Sequence, residues 1–140
     1  MAWRVGKSLI QLRNQINQAA PNRSKASDGT IGDLSHKGRN SDHNPWVMDG
    51  NLGVVTALDI THDPQHGCDA EKFVQALVAS KDPRIKYLIW NNRIISSKVN
   101  PWVWRPYSGR NPHTKHFHLS VLPEKSLYDS TEPWKVEEIE

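Results

Sequence analysis

The stretch that most restricts how this chain can fold is His116-Phe117-His118-Leu119-Ser120-Val121. Side chains along a strand alternate faces, so Phe117, Leu119 and Val121 share one side and His116, His118 and Ser120 the other. The first side is apolar enough to be core. The second carries two imidazoles about 7 Å apart along the strand. A strand holds ligands more rigidly than a loop does, which suits a metal site. A polar, solvent-facing side with incidental histidines is the other reading this stretch leaves open.

A second run must be placed beside it. Residues 54–60, "VVTALDI", are β-branched and apolar and read as one buried strand. Asp59 lies inside that run, where a carboxylate is costly unless it is paired, hydrogen-bonded or metal-bound. Elsewhere, "KSLIQLRNQINQAA" spaces Leu9, Leu12, Ile16 and Ala19/Ala20 as one face of a helix that Pro21 stops. "DAEKFVQALVAS" (69–80) is a helix with Asp69 at its N-cap and Phe73, Val74 and Leu77 inward. "DPRIKYLIWNNRIISS" is a hairpin turning at Asn91-Asn92, since Asn tolerates positive φ. Residues 101–112 form a Pro- and Gly-bearing aromatic loop. The order predicts an α+β fold, a small and mostly antiparallel sheet flanked by helices.

Between the first helix and the 54–60 strand lie 33 residues, 21–53, rich in Gly, Ser, Asn and Asp. Loops that long inside a compact domain are usually functional or disordered, and His36, Arg39, Ser41 and His43 favour function here. With 140 residues the chain is expected to be one domain, residues 1–123, followed by a loosely attached acidic tail, 124–140. The tail holds six acidic and two basic residues, leaving the body with 16 basic and nine acidic, a net +7. A basic body suits a polyanionic partner. The charge forms no Lys/Arg run, so nucleic acid is not favoured over a cell wall carrying acidic groups. Six tryptophans stand against two phenylalanines. Core positions and a groove facing sugars are both open for them.

One cysteine, Cys68, excludes an intramolecular disulfide framework and a cysteine-rich zinc site. Its place at a helix N-terminus is a setting that lowers a thiol pKa, but it lacks an attached His/Asn pattern for thiol catalysis. No apolar run approaches ~18 residues, so no membrane span is expected. The N-terminus lacks the apolar core of a signal peptide, so the expectation is synthesis and retention in a cytosol until something else releases the protein.

His43, Asp59 and His118 together offer two imidazoles and a carboxylate, the kind of set that holds a catalytic zinc while leaving a position for water. By ligand type Mn²⁺, Ni²⁺ and Co²⁺ also fit. The pattern S-x-H, A-x-D, H-x-H, here Ser41-Asp42-His43, Ala57-Leu58-Asp59 and His116-Phe117-His118, resembles the zinc peptidoglycan peptidases. These include D-alanyl-D-alanine carboxypeptidases and phage endolysins of the L-alanyl-D-glutamate endopeptidase type, with the hedgehog/D-Ala-D-Ala-peptidase fold. The resemblance covers roughly residues 20–122, including "GTIGDLSHKGRNSDHNP", "GVVTALDITHDP" and "NPHTKHFHLSV".

The resemblance implies Zn²⁺ on His43, Asp59 and His118, with His116 as the catalytic histidine beside it and Ser41 facing substrate. It implies a monomeric metallopeptidase that cuts an amide bond of peptidoglycan, reaching the wall after holin-type release or from a phage particle. Arg39 and Arg105 are candidates for the oxyanion or a substrate carboxylate, because guanidinium groups suit both. Two features depart from the family pattern. Fifteen residues, including "PWVMDGNLG", separate His43 from Asp59, which fits an inserted excursion. Lys115 stands where the carboxypeptidase branch carries a glutamate base.

The remaining histidines have plainer readings: His62 and His66 as loop residues, His36 and His113 as surface groups or as hydrogen-bond partners that orient a ligand. Two rival functions are a His-metal nuclease of the ββα-metal type, which needs a helix soon after its histidine, and a silent wall-binding module stacking sugars on Trp102, Trp104 and Tyr107.

Overall fold

The computed structural model describes residues 2–30, 41–109 and 114–136. It is an α+β arrangement with two sheets. Strands β4 (Ala57–Thr61), β5 (Ile85–Trp90), β6 (Arg93–Ser96), β7 (Arg105–Pro106) and β8 (His116–Val121) form a five-stranded antiparallel sheet in the order β4-β8-β5-β6-β7. Strands β1 (Trp3–Val5), β2 (Val47–Asp49) and β3 (Leu52–Val55) form a smaller one, in which β1 runs parallel to β3.

The helices form where the apolar spacing places them. Helix α1 (Lys7–Ala19) buries Leu9, Leu12 and Ile16. Helix α2 (Ala70–Ser80) buries Phe73, Val74 and Leu77, and the Asp69 carboxylate caps it by accepting from the Glu71 amide at 3.0 Å. These faces close over one side of the large sheet, where Leu58, Ile60, Leu88, Ile95, Phe117, Leu119 and Val121 are all within 1% of complete burial. The β5–β6 turn has φ of 53° at Asn91 and 64° at Asn92, the left-handed pair a two-residue hairpin needs.

Three expectations are corrected. The 54–60 run is two strands in two sheets, because the chain breaks pairing at Thr56: its amide donates to the Asp42 carbonyl and its carbonyl accepts from Val121. The excursion after His43 is a hairpin, β2–β3, and its turn carries Gly50 at φ 63°. Gly53 is required there because a Cβ would sit 2.7 Å from the Pro45 carbonyl oxygen. The tail is not loosely attached. Helix α3 (Lys125–Tyr128) and the chain to Val136 insert Tyr128, Trp134 and Val136 into the core. Gln15 of α1 holds the Trp134 backbone from both sides, and the indole N–H donates to the Ser8 carbonyl.

The tryptophans divide by burial. Trp90 and Trp134 are buried, Trp102 and Trp104 pack partly buried against the core, and Trp3 and Trp46 are exposed. Among the described residues no helix is long and apolar enough to cross a membrane.

Candidate metal centre

The register of the large sheet assembles the site. Asp59 on β4 pairs with His118 on β8, His118 with Ile89 on β5, Ile89 with Ile94 on β6, and Ile94 with Arg105 on β7. Directly paired residues share a face, so this row crosses the sheet on the side away from the helices. His116 and Ser120 lie on that side of β8 and Tyr87 on that side of β5. Both sides of β8 are covered: His118 is 4% exposed and Ser120 fully buried, so the solvent-facing reading of the strand fails.

His43 reaches this face from the loop before β2. The Ser41 hydroxyl accepts from the His43 amide at 3.3 Å and the Ser41 carbonyl from the Asn44 amide, forming the turn that presents the imidazole. His43 Nε2 then lies 3.1 Å from His118 Nδ1 and 3.2 Å from Asp59 Oδ2, while His118 Nδ1 lies 3.2 Å from Asp59 Oδ1. One ligand atom from each of the three falls within 4.8 Å of the others, so the group can hold a metal ion. Nitrogen and oxygen donors of this kind suit a borderline divalent cation.

The outer partners fix which atoms face inward. His43 Nδ1 lies 3.2 Å from the Thr30 carbonyl, which can only accept, so Nδ1 carries a proton and Nε2 is the nitrogen turned toward His118 and Asp59. His118 uses the opposite nitrogen: Nε2 engages the Ser120 hydroxyl at 2.8 Å and Nδ1 turns toward Asp59. The Tyr87 ring stacks on His118 with centroids 5.2 Å apart. Next to it the register slips, two steps along β5 opposing one along β8, so Lys86 is a bulged residue. Its ammonium reaches the buried Asp42 carboxylate at 3.0 Å, which also accepts from the Trp46 indole.

Burial works against a charge on Asp59, but hydrogen bonds with His118 and His43 outweigh it and hold the carboxyl well below its ordinary range. Burial likewise opposes a charge on His43, yet the Asp59 carboxylate raises its pKa. His116 behaves differently. Its Nε2 stands 3.5 Å from Asp59 Oδ2, but burial dominates and lowers its pKa, leaving the imidazole neutral at neutral pH.

Of the sequence candidates, His43, Asp59, His116 and His118 come together, and Ser41 shapes the turn beside them. Arg105 sits in the same row at the far edge, three strands or roughly 14 Å from His118 by ordinary strand spacing. Arg39, His36 and His113 fall outside the described residues. His62 Nδ1 accepts from the Ala70 amide at the start of α2, and His66 pairs with Asp63. Cys68 corrects the expectation of a lowered pKa: it is buried, and that burial pushes the thiol up to about 11. Sequence reasoning missed Thr30, Tyr87 and the Asp42–Lys86 pair. Alternation in β8 was enough to flag Ser120.

The chain is therefore an α+β protein whose antiparallel sheet carries a two-histidine, one-carboxylate cluster with a neutral histidine beside it. Comparison with protein-family models, curated proteins and solved structures found no match.

Proposed function

We propose that this chain is a zinc-dependent peptidase that hydrolyses an amide bond in the stem peptides or cross-links of peptidoglycan. The observation carrying the proposal is the convergence of His43, Asp59 and His118 from a loop and two strands onto one point. The motif order Ser41-x-His43, Ala57-x-Asp59 and His116-x-His118 supports the wall-peptidase class and its fold.

His43 Nε2, Asp59 and His118 Nδ1 are the atoms that would hold the ion. When bound, zinc supplies acidified water at neutral pH and polarises the carbonyl to be cut. His116 moves the proton: its neutral Nε2 takes it from the attacking water and returns it to the leaving amine, a step typically contributing about 10²–10⁴-fold. Lys115 then needs no glutamate's role. Arg105, at the far end of the row, suits a substrate carboxylate some residues from the cut rather than the oxyanion. Its Nε is buried with no hydrogen-bond partner among the described residues. Access to the wall would come from holin-type release or from a phage particle.

After His43 the described chain runs into a β-hairpin, not the helix that a ββα-metal nuclease requires. Zymography on purified peptidoglycan with and without chelator tests the proposal. Clearing that chelator abolishes and zinc restores supports it. Retention on the wall without clearing, or cleavage of DNA instead, refutes it.

A further inference from the structure

The segment that delivers the Thr30 carbonyl to His43 is anchored by a partly buried ion pair that the chemistry above does not use. Arg23, 4% exposed, forks onto Asp28, with Nη1 donating to Oδ1 at 2.9 Å and Nη2 to Oδ2 at 2.8 Å. Its Nε donates to Asn17 on α1 at 2.8 Å. Asp28 Oδ1 also accepts from the Thr61 amide at 2.9 Å and hydroxyl at 2.7 Å, at the end of β4. The Thr61 hydroxyl in turn accepts from the Ser27 amide. Helix α1, the segment and β4 are thus tied at one carboxylate.

The consequence appears in the next two residues. Gly29 and Asp59 exchange backbone hydrogen bonds of 3.2 and 2.8 Å, making Gly29 a one-residue strand along the outer edge of β4. The next carbonyl, that of Thr30, is the acceptor that fixes His43 Nδ1–H. We propose that Arg23 and Asp28 are positioning residues of the metal site: they hold Gly29 against Asp59, and through Thr30 they set the tautomer and orientation of His43. The inference rests on the reading that His43, Asp59 and His118 bind a metal.

Stability alone does not require an ion pair here, because such pairs can often be replaced whole by well-packed apolar groups, although losing one partner is costly. The fold also supplies an internal control. Arg84 and Asp82 make the same kind of fork, at 2.9 and 2.7 Å, with Arg84 equally buried, but Arg84 continues to the carbonyls of Ser130 and Glu132. That pair's further hydrogen bonds run to the tail and not to Thr30 or His43.

The experiment compares the full-length wild type with Asp28→Asn, Arg23→Lys and Asp82→Asn. Zinc affinity is measured by competition with a chelating dye, and the His43 tautomer in the metal-free protein by long-range ¹⁵N NMR. Asp28→Asn and Arg23→Lys are expected to weaken zinc binding by about 10–100-fold, the usual effect of losing a partner behind a ligand. They should also erode the Nδ1–H form of His43. Asp82→Asn should leave both readouts unchanged. Wild-type affinity and an unaltered tautomer in folded Asp28→Asn and Arg23→Lys would overturn the inference. So would loss of fold in both under conditions where Asp82→Asn stays folded, since the pair would then serve global stability. A wild type that takes up no zinc would defeat the metal reading itself, and the tautomer would still judge the positioning role.

Discussion

Replacing Trp134 by Ala tests whether the acidic C-terminal segment belongs to the fold. The indole is 2% exposed and lies in the main core, and its N–H donates to the Ser8 carbonyl at 2.8 Å. The Arg84 guanidinium stacks on it at 3.7 Å from the ring centroid. Truncating a buried Trp to Ala costs about 3–5 kcal/mol through lost burial and the cavity left behind. The Ser8 carbonyl loses its donor and the stacked guanidinium its ring, which pushes the cost toward the upper end. For a chain of this length, roughly 3–4 °C per kcal/mol gives a fall in melting temperature of about 9–20 °C. Thermal and urea denaturation followed by circular dichroism measure it. Trp134 is on the helix side of the sheet, so zinc affinity of the folded variant should not change. A variant within about 1 kcal/mol of wild type, well under the burial cost, would show that residues 129–136 do not pack as described.

The other expectations follow from the site and its surroundings. His116→Ala should retain zinc yet lose about 10²–10⁴-fold in turnover of peptidoglycan, checked by metal analysis and zymography on one preparation. Cys68, buried with its thiol pushed up to about 11, should resist alkylation in the native protein and react only after unfolding, as mass spectrometry would show. In acid, Asp28 and Asp129 should destabilise the fold. Burial opposes their ionisation, but Arg23 with Thr61, and Arg4, hold both below the ordinary value of 3.8. The unfolded chain therefore takes up protons first. Their contribution is present above pH ~3.8 and lost as pH falls through the lower folded values, which urea titrations between pH 6 and 2 would reveal as a falling midpoint.

The parts legible in the sequence are those where one side chain has one job. Alternation in His116–Val121 assigned both faces of β8, and the cost of a carboxylate among Val54, Val55, Leu58 and Ile60 singled out Asp59. Asn91-Asn92 marked a turn because few residues accept positive φ twice in succession. The break at Thr56 left no such mark. Val54, Val55, Ala57 and Leu58 are all buried, so hydropathy is uniform across a boundary made by backbone hydrogen bonds to Asp42 and Val121. Strand β2 is three residues among turn-forming neighbours and reads as loop. In the tail, net charge obscured three separated anchors, Tyr128, Trp134 and Val136. At the site the side-chain ligands were visible by type, whereas Thr30 acts through a carbonyl that every residue possesses.

Equilibrium zinc titration of the wild type and His118→Ala, read as bound metal per chain, bears most directly on the centre. The proposed function predicts one zinc per wild-type chain, with tight binding lost in the variant. A wild type that binds none, or a His118→Ala protein that binds zinc as tightly as wild type, would contradict the assignment of His43, Asp59 and His118 as a shared metal site.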